Sequence, residues 1–427
     1  MNKNCAFTIC ATNYIGLAQV LEKSIFEYSE DLDFYIVVAD EPRDAIKESF
    51  VNNILIAKQI LSYNYTGQKW YEMAFKYDLT EFCTSIKPAC IKYFFNLGYE
   101  KCLYFDPDIF VFSSLEKIYG ILDKYSAIVT PHITQIETDS TGNVSEQQLI
   151  RTGTFNLGFI GLQKTPKTLQ FLTWWSKRLE DFCFRIRTEN LFTDQKWIDL
   201  MPGFFGSELY ISLDKGMNMA PWNFHERRIV NNKGCLKVVN RLFDEGNKDS
   251  LMFVHYSGYN YSALLNGEIE QNNINEMPIY EDLNVIFNVY RDALLNNSFT
   301  KFIDEKYSYG YYSNGFGINN NLRKLYRALV EADGYSDNPF SLGSLLYKRA
   351  KKIRLISANY KTVKYSDISQ KSWHRVGFVN SCLRFLCKII GIKRYYMVTR
   401  FFRIYGIWEN HYFILGDNDS DFKLRRW

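Results

Sequence analysis

Asp106 and Asp108 stand two residues apart with Pro107 between them, closing the apolar run 102–105 and opening a second, 109–111. Apolar flanks of that length predict a buried strand that ends at the two acids. Two uncompensated carboxylates in such a place repel each other and resist leaving water. A divalent cation removes both penalties, and hard oxygen ligands suit magnesium or manganese. Pro107 fixes one backbone angle, so the pair is stiff and the strand must stop or bend there. The competing reading, a turn with two solvated acids, is weakened by the apolar flanks.

Such a pair needs a scaffold. Short apolar runs at 6–11, 34–39, 53–57, 101–105 and 126–130 predict strands. Between them, 17–28 (Leu17, Val20, Leu21 and Ile25 on one face), 44–50 and 86–97 predict helices. That alternation implies an α/β fold with a mixed, mostly parallel sheet flanked by helices. Ligands of such sheets sit at the carboxyl ends of strands, where residues 11–14 and 106–108 both fall. The Thr-, Ser-, Gly- and Gln-rich stretch 132–151 reads as a mobile loop. A strand-like stretch with Asn156 and Gly158 follows, then a helix bearing Trp174 and Trp175, and an apolar strand at 251–255. The 427 residues suggest three parts: 1–260 catalytic, 261–370 a helical and loop extension, and 371–427 a tail.

Composition narrows the class. Aromatic content is 17%, with 33 Phe, 31 Tyr and only 9 Pro, which fits a packed globular protein rather than a disordered one. Nine cysteines without Cys-x-x-Cys pairs suggest reduced, mostly buried thiols and a cytoplasmic setting. The N-terminal apolar run is too short for a secretory signal and reads as a first strand.

Five segments, in order, resemble the retaining, metal-dependent glycosyltransferases of family 8, which have the GT-A fold. Ala11-Thr12-Asn13-Tyr14 is similar to the turn that holds the nucleoside. Asp106-Pro107-Asp108 resembles the Asp-x-Asp metal motif. Phe155-Asn156-Leu157-Gly158 is similar to the segment that lines the donor sugar, and Thr193-Asp194-Gln195 to the pair beside the anomeric carbon. His255-Tyr256-Ser257-Gly258 resembles the segment whose His is the third metal ligand. Ile86-Lys87-Pro88 and Pro221-Trp222-Asn223 further resemble a bacterial branch associated with surface polysaccharides. One departure stands out. The family usually follows its His-x-x-Gly with a Lys-Pro-Trp that grips the diphosphate, and here Tyr259-Asn260-Tyr261 stands there.

The resemblance implies metal ligation by Asp106, Asp108 and His255, with manganese or magnesium as the ion. It implies a nucleotide diphosphate sugar as donor, UDP-linked in the simplest case. Ala11, Thr12, Asn13, Tyr14, Lys87, Asn156, Gly158, Trp222, Asn223 and Gly258 would line the donor, and Asp194 and Gln195 the reacting carbon. Plainer readings stand beside these. His255 and Asn156 also fit a hydrogen-bonded core, Asp194 a helix cap, and Lys87 either a surface position or a phosphate contact. Without the Lys-Pro-Trp, Lys87, Arg227 and Arg228 become the candidates for the diphosphate. Gln195 is neutral and no strong nucleophile, so retention would run by front-face attack rather than a double displacement through Asp194.

The charge is uneven. Residues 371–427 hold eleven Lys/Arg and four Asp/Glu, a net of +7, whereas the first 370 residues carry a net of −3. Val376, Val379, Leu383, Leu386 and Ile390 share one helical face, with Arg384 and Lys388 on another. Such a tail fits an anionic membrane surface through 376–408, or a packed helix pair; no nucleic-acid motif accompanies it. The expectation is a hexosyltransferase acting on a bacterial surface glycan, lipid-linked or protein-linked. A sugar nucleotidyltransferase, a donor hydrolase and a non-catalytic sugar-binding scaffold are the alternatives.

Overall fold

The computed structural model describes residues 3–186, 189–232, 234–243, 248–272, 274, 280–297, 299–333, 337–356 and 373–415. Fourteen strands occur among them: β1 (Asn4–Cys10), β2 (Asp33–Val38), β3 (Ile54–Ile56), β4 (Lys101–Phe105), β5 (Ile109–Val111), β6 (Ala127–Val129), β7 (Phe159–Gln163), β8 (Arg185–Ile186), β9 (Leu191–Phe192), β10 (Leu209–Ile211), β11 (Arg227–Asn232), β12 (Cys235–Asn240), β13 (Asp249–Ser250) and β14 (Phe253–His255). Seven build the central sheet in the order β10-β6-β7-β4-β1-β2-β3. β1 pairs in parallel with β2 and β4, β2 with β3, and β6 with β10. β7 runs antiparallel to both β4 and β6. The sheet is therefore mixed and mostly parallel, the arrangement of a GT-A fold. Its inner strands read as continuous apolar runs because helices cover both faces.

Two compact units divide the chain, one of residues 1–66 and 79–308, the other of 67–78 and 309–427. In the first, the helix Ile15–Phe26 buries Ile15, Ala18, Leu21 and Ile25 against β1 and β2. Its Gly16 is required by close approach, since a Cβ there would meet the Phe299 backbone at 2.5 Å. In the second unit, Arg323 on the helix Asn320–Asp333 donates to the carbonyls of Ala74, Phe75, Tyr77 and Tyr309. One buried guanidinium thus closes four backbone acceptors, three within residues 74–77 and the fourth at Tyr309.

The stretch 132–151 is less open than its composition suggests. Ser145 and Gln148 form a capping box that starts the helix Glu146–Thr152. Upstream, the buried carboxylate of Glu226 accepts hydrogen bonds from the Thr134 and Gln135 backbone and from the Thr134 hydroxyl. The strand expected around Asn156 begins only at Phe159, and residues 155–158 form the turn that precedes it. All nine cysteines are free and six are buried.

The helix Trp373–Tyr405 breaks at Gly391, whose φ of 73° no helix accommodates. Phe378, Phe385 and Ile389 on its first arm are about two-thirds exposed or more, and so are Ile392 and Met397 on the second. Residues 371–372 and 416–427 of the expected tail, and the side chain of Val376, lie outside the described residues.

Candidate functional site

Two antiparallel pairings assemble the site from three distant segments. β4 pairs with β7 so that Phe105 faces Phe159, and the Asp106 amide donates to the Gly158 carbonyl at 2.7 Å. β5 pairs with β14 so that Ile109 faces His255, and the Tyr256 amide donates to the Asp108 carbonyl at 2.8 Å. The register therefore sets the imidazole beside the two acids although it lies far along the chain. Gly158 is indispensable here: a Cβ would meet His255 Cε1 at 2.4 Å.

One ligand atom each from Asp106, Asp108 and His255 lie within 4.8 Å of one another. His255 Nε2 is 3.0 Å from Asp108 Oδ1 and 3.7 Å from Asp106 Oδ2. The other atom of every group is already engaged. Asp106 Oδ1 accepts from the Tyr104 hydroxyl at 2.5 Å, and Asp108 Oδ2 from the Tyr261 hydroxyl at 3.2 Å. His255 Nδ1 lies 3.2 Å from Asn156 Oδ1, so its N–H points at the amide and Nε2 turns to the acids. Two carboxylates and an imidazole form a donor set that fits a hard divalent ion.

The three groups also set one another's protonation. Burial pushes the Asp106 carboxyl above its ordinary range, a rise that Lys87 and His255 only partly offset. Burial acts on Asp108 too, but the charge and hydrogen bond of the nearer His255 outweigh it and hold that carboxyl low. Burial alone would lower His255; Asp108, then Asp106, raise it above the usual imidazole value. At nearby His132 burial outweighs the Thr154 and Gly153 backbone and the charge of Asp199, and depresses the imidazole to about 4, so it stays neutral.

Lys87 is no surface residue. It is 1% exposed, pairs with Asp194 at 2.5 Å, donates to the Leu157 carbonyl at 2.8 Å and lies 4.0 Å above the Tyr104 ring. Asp194 precedes the helix Gln195–Ile198 without capping it through its side chain. Trp175 lies behind it, its indole N–H 3.4 Å from the Asp194 carbonyl. Gln195 Oε1 accepts from the Leu157 amide and from Asn156, and its Nε2 donates to the Thr152 carbonyl. Asn223 holds the turn bearing Trp222 by bonding the backbone of Ala220, Asn218 and His132. The Trp222 ring stands edge-on between His132 and His255, 5.3 Å from each. Gly258 follows β14 with a φ of 76°, which favours glycine.

The turn Thr12–Tyr14 closes through the Tyr14 amide and the Ala11 carbonyl. Buried Asp40 fastens it, accepting from the Thr12 amide at 2.9 Å and the Thr12 hydroxyl at 2.7 Å. Asn13 Oδ1 and Trp222 Nε1 are buried with no hydrogen-bond partner. Orphaned polar atoms of that kind are what a bound nucleotide sugar would satisfy. Of the sequence's diphosphate candidates, Arg227 is spent elsewhere: it is buried against Glu226 and donates to the Lys215 and Met217 carbonyls. Asp40, Tyr104, Asn218 and Tyr261 escaped the sequence reading. Only the left-handed φ of 55° at Asn218, whose amide bonds Thr130 and Asn156, marks that residue, and sequence does not display it.

Residues 5–173 match the family model for glycosyl transferase family 8. "Uncharacterized protein YfnD" of Bacillus subtilis strain 168 is 22% identical over 257 residues, which span 59% of this chain and 76% of that protein. Among solved structures, the glycosyltransferase GlyE of Streptococcus pneumoniae TIGR4 is 14% identical, covering 73% of this chain and 67% of its own, with a TM-score of 0.38. The galactosyltransferase LgtC, solved with donor and acceptor sugar analogs, is also 14% identical, over 51% of this chain and 76% of its own, with a TM-score of 0.32.

Proposed function

We propose that this chain, a glycosyltransferase of the family 8 kind, moves a hexose with retention from a UDP-sugar to a bacterial surface glycan or glycoprotein acceptor. The observation that carries the metal dependence is the convergence of Asp106, Asp108 and His255. Those three would hold manganese or magnesium, which supplies Lewis-acid neutralisation of the departing diphosphate. Ala11, Thr12, Asn13 and Tyr14 receive the nucleoside, with Asp40 keeping the turn in place. Gly158 leaves room beside His255, and Asn156 fixes the face that the imidazole presents. Trp222 offers an unpaired indole N–H toward the sugar. Asp194 has one oxygen on Lys87 and the other on the Thr193 hydroxyl. A carboxylate so committed stabilises positive character at the reacting carbon better than it attacks, which favours front-face transfer.

The test is a panel of nucleotide sugars incubated with manganese, with and without EDTA. One UDP-sugar should be consumed, and chelation should stop that consumption. Undiminished turnover in EDTA would sink the reading, and release of free sugar irrespective of acceptor would make the protein a hydrolase.

We place the helix Trp373–Tyr405 on an anionic membrane surface at the cytoplasmic face. It carries seven Lys/Arg and no Asp or Glu, beside its exposed Phe and Ile side chains. Among the described residues no helix is long and apolar enough to cross a membrane. Co-sedimentation with phosphatidylglycerol vesicles should exceed that with phosphatidylcholine by at least about tenfold, and Phe385→Asp should reduce it. Equal sedimentation with both lipids would refute the placement.

A further inference from the structure

We propose that a shallow groove on the flank of the first unit is a non-catalytic binding site for a neutral glycan, with Tyr63 and Tyr93 as its stacking surfaces. The choice of ligand rests on the glycosyl-transfer reading above, while the groove itself lies outside the reaction centre.

Two segments form it. One is the short helix Ala57–Ile60 with the turn after it; the other is the end of the helix Lys87–Asn96. Tyr63 is wholly exposed, yet it does not ride on a loose loop. Leu61 and Tyr65 on either side of it are buried, and the amides of Asn64 and Tyr65 both donate to the Leu61 carbonyl. The turn thus holds a tyrosine outward. Opposite it, Tyr93, Asn96 and Leu97 fall at the three- and four-residue spacings that share one helical face. With Gln59 and Asn64 they enclose about 470 Å³, within the range of small-ligand sites.

The lining selects the ligand. Aromatic surface held in water favours an apolar face laid against it. Gln59, Asn64 and Asn96 are exposed, and each amide offers donors and an acceptor together. A pyranose has the matching make-up, with C–H faces above and below and hydroxyls around its edge. Among the described residues no charged side chain lines the groove. The flanking Lys58 and Lys92 turn away, to Glu41 and to the Thr173 hydroxyl. A nucleic-acid backbone or an anionic lipid therefore finds no counter-charge there. Distance separates the groove from transfer. Lys87, which pairs with Asp194, opens the helix that Asn96 closes, and the helical rise puts Asn96 about 14 Å along the axis from it. A glycan held at that remove keeps a long acceptor close and raises its effective concentration.

Affinity electrophoresis of the full-length protein tests this, in native gels cast with dextran, soluble starch, galactomannan or hydroxyethylcellulose. UDP and magnesium are added to fill the cleft. At least one of these neutral polysaccharides should retard the parent. Tyr63→Ala and Tyr93→Ala should each weaken that binding about tenfold, the loss of one aromatic contact. Tyr63→Phe keeps the stacking face and should stay retarded, and all three variants should consume nucleotide sugar at the parent's rate. Should Tyr93→Ala fail to fold, Tyr63→Ala carries the test alone, since that ring lies in water. Retardation by none of the four polysaccharides overturns the proposal. Equal retardation of the parent and Tyr63→Ala does so too, because sugar then binds elsewhere. A dimer that falls apart in Tyr63→Ala would also overturn it, making the groove a contact between copies of this chain. Retardation that depends on Tyr63 in a protein consuming no nucleotide sugar would sink the enzyme reading and leave the groove standing, so the two failures are distinct.

Discussion

Asp106→Asn is expected to lower sugar transfer about a thousandfold at saturating manganese while leaving the metal-free fold as stable as before or more so. The activity loss follows, on the proposed function, from removing one of the two carboxylates that would hold an ion neutralising the leaving diphosphate; about 4 kcal/mol of transition-state stabilisation corresponds to that factor. The stability sign follows from the site itself. Burial raises the Asp106 carboxyl above its ordinary range, so in the absence of metal its charge is a burden on the folded state. An acid with a raised folded value contributes most stability below its unfolded range and loses it as pH climbs through the folded value. The amide of Asn carries no such charge, and it still accepts the Tyr104 hydroxyl through its oxygen. Thermal unfolding in EDTA at pH 7.5 and donor consumption in manganese give the two readouts. Activity within tenfold of the parent would remove Asp106 from the reaction, and a clear loss of metal-free stability would show that its charge is satisfied by the fold alone.

That opposition between function and stability explains which parts of the site were legible in the sequence. Asp106 and Asp108 announce themselves because two carboxylates one residue apart at the end of an apolar strand call for a compensating positive charge. The sheet followed from alternating apolar runs, since burial of β1 and β4 on both faces leaves no polar phase to confuse the pattern. Their supports announce nothing. Tyr104 sits on a buried strand where an aromatic is expected for packing alone, and only its hydroxyl, invisible to periodicity, reaches Asp106. Asp40 looks like the polar residue that stops β2, yet its carboxylate holds a turn 28 positions earlier in the chain. Polar composition at 132–151 suggested mobility, because composition counts donors and acceptors without saying where partners lie; Glu226 supplies them from afar. The Ser145 and Gln148 box was readable and would have given the helix.

Lys87 is the sharpest such case, and its replacement should be the most destabilising change in the site. Lys87→Met leaves Asp194 buried at 2% exposure without its partner, and it also removes the positive charge that does most to lower Asp106. Breaking a buried pair from one side costs about 3–5 kcal/mol. Asp194→Asn should cost less, because the orphaned ammonium keeps the Leu157 carbonyl, the Tyr104 ring and the attraction of Asp106. The double variant Lys87→Met/Asp194→Asn should then be more stable than Lys87→Met alone, since no isolated charge is left at Asp194. Activity should not recover with it, because the carboxylate proposed to stand beside the reacting carbon is gone. Urea unfolding of the parent, both single variants and the double variant measures the whole cycle. A loss under about 1 kcal/mol for Lys87→Met, or a larger loss for Asp194→Asn than for Lys87→Met, would mean that the pair is solvated in solution and that Lys87 faces the donor instead.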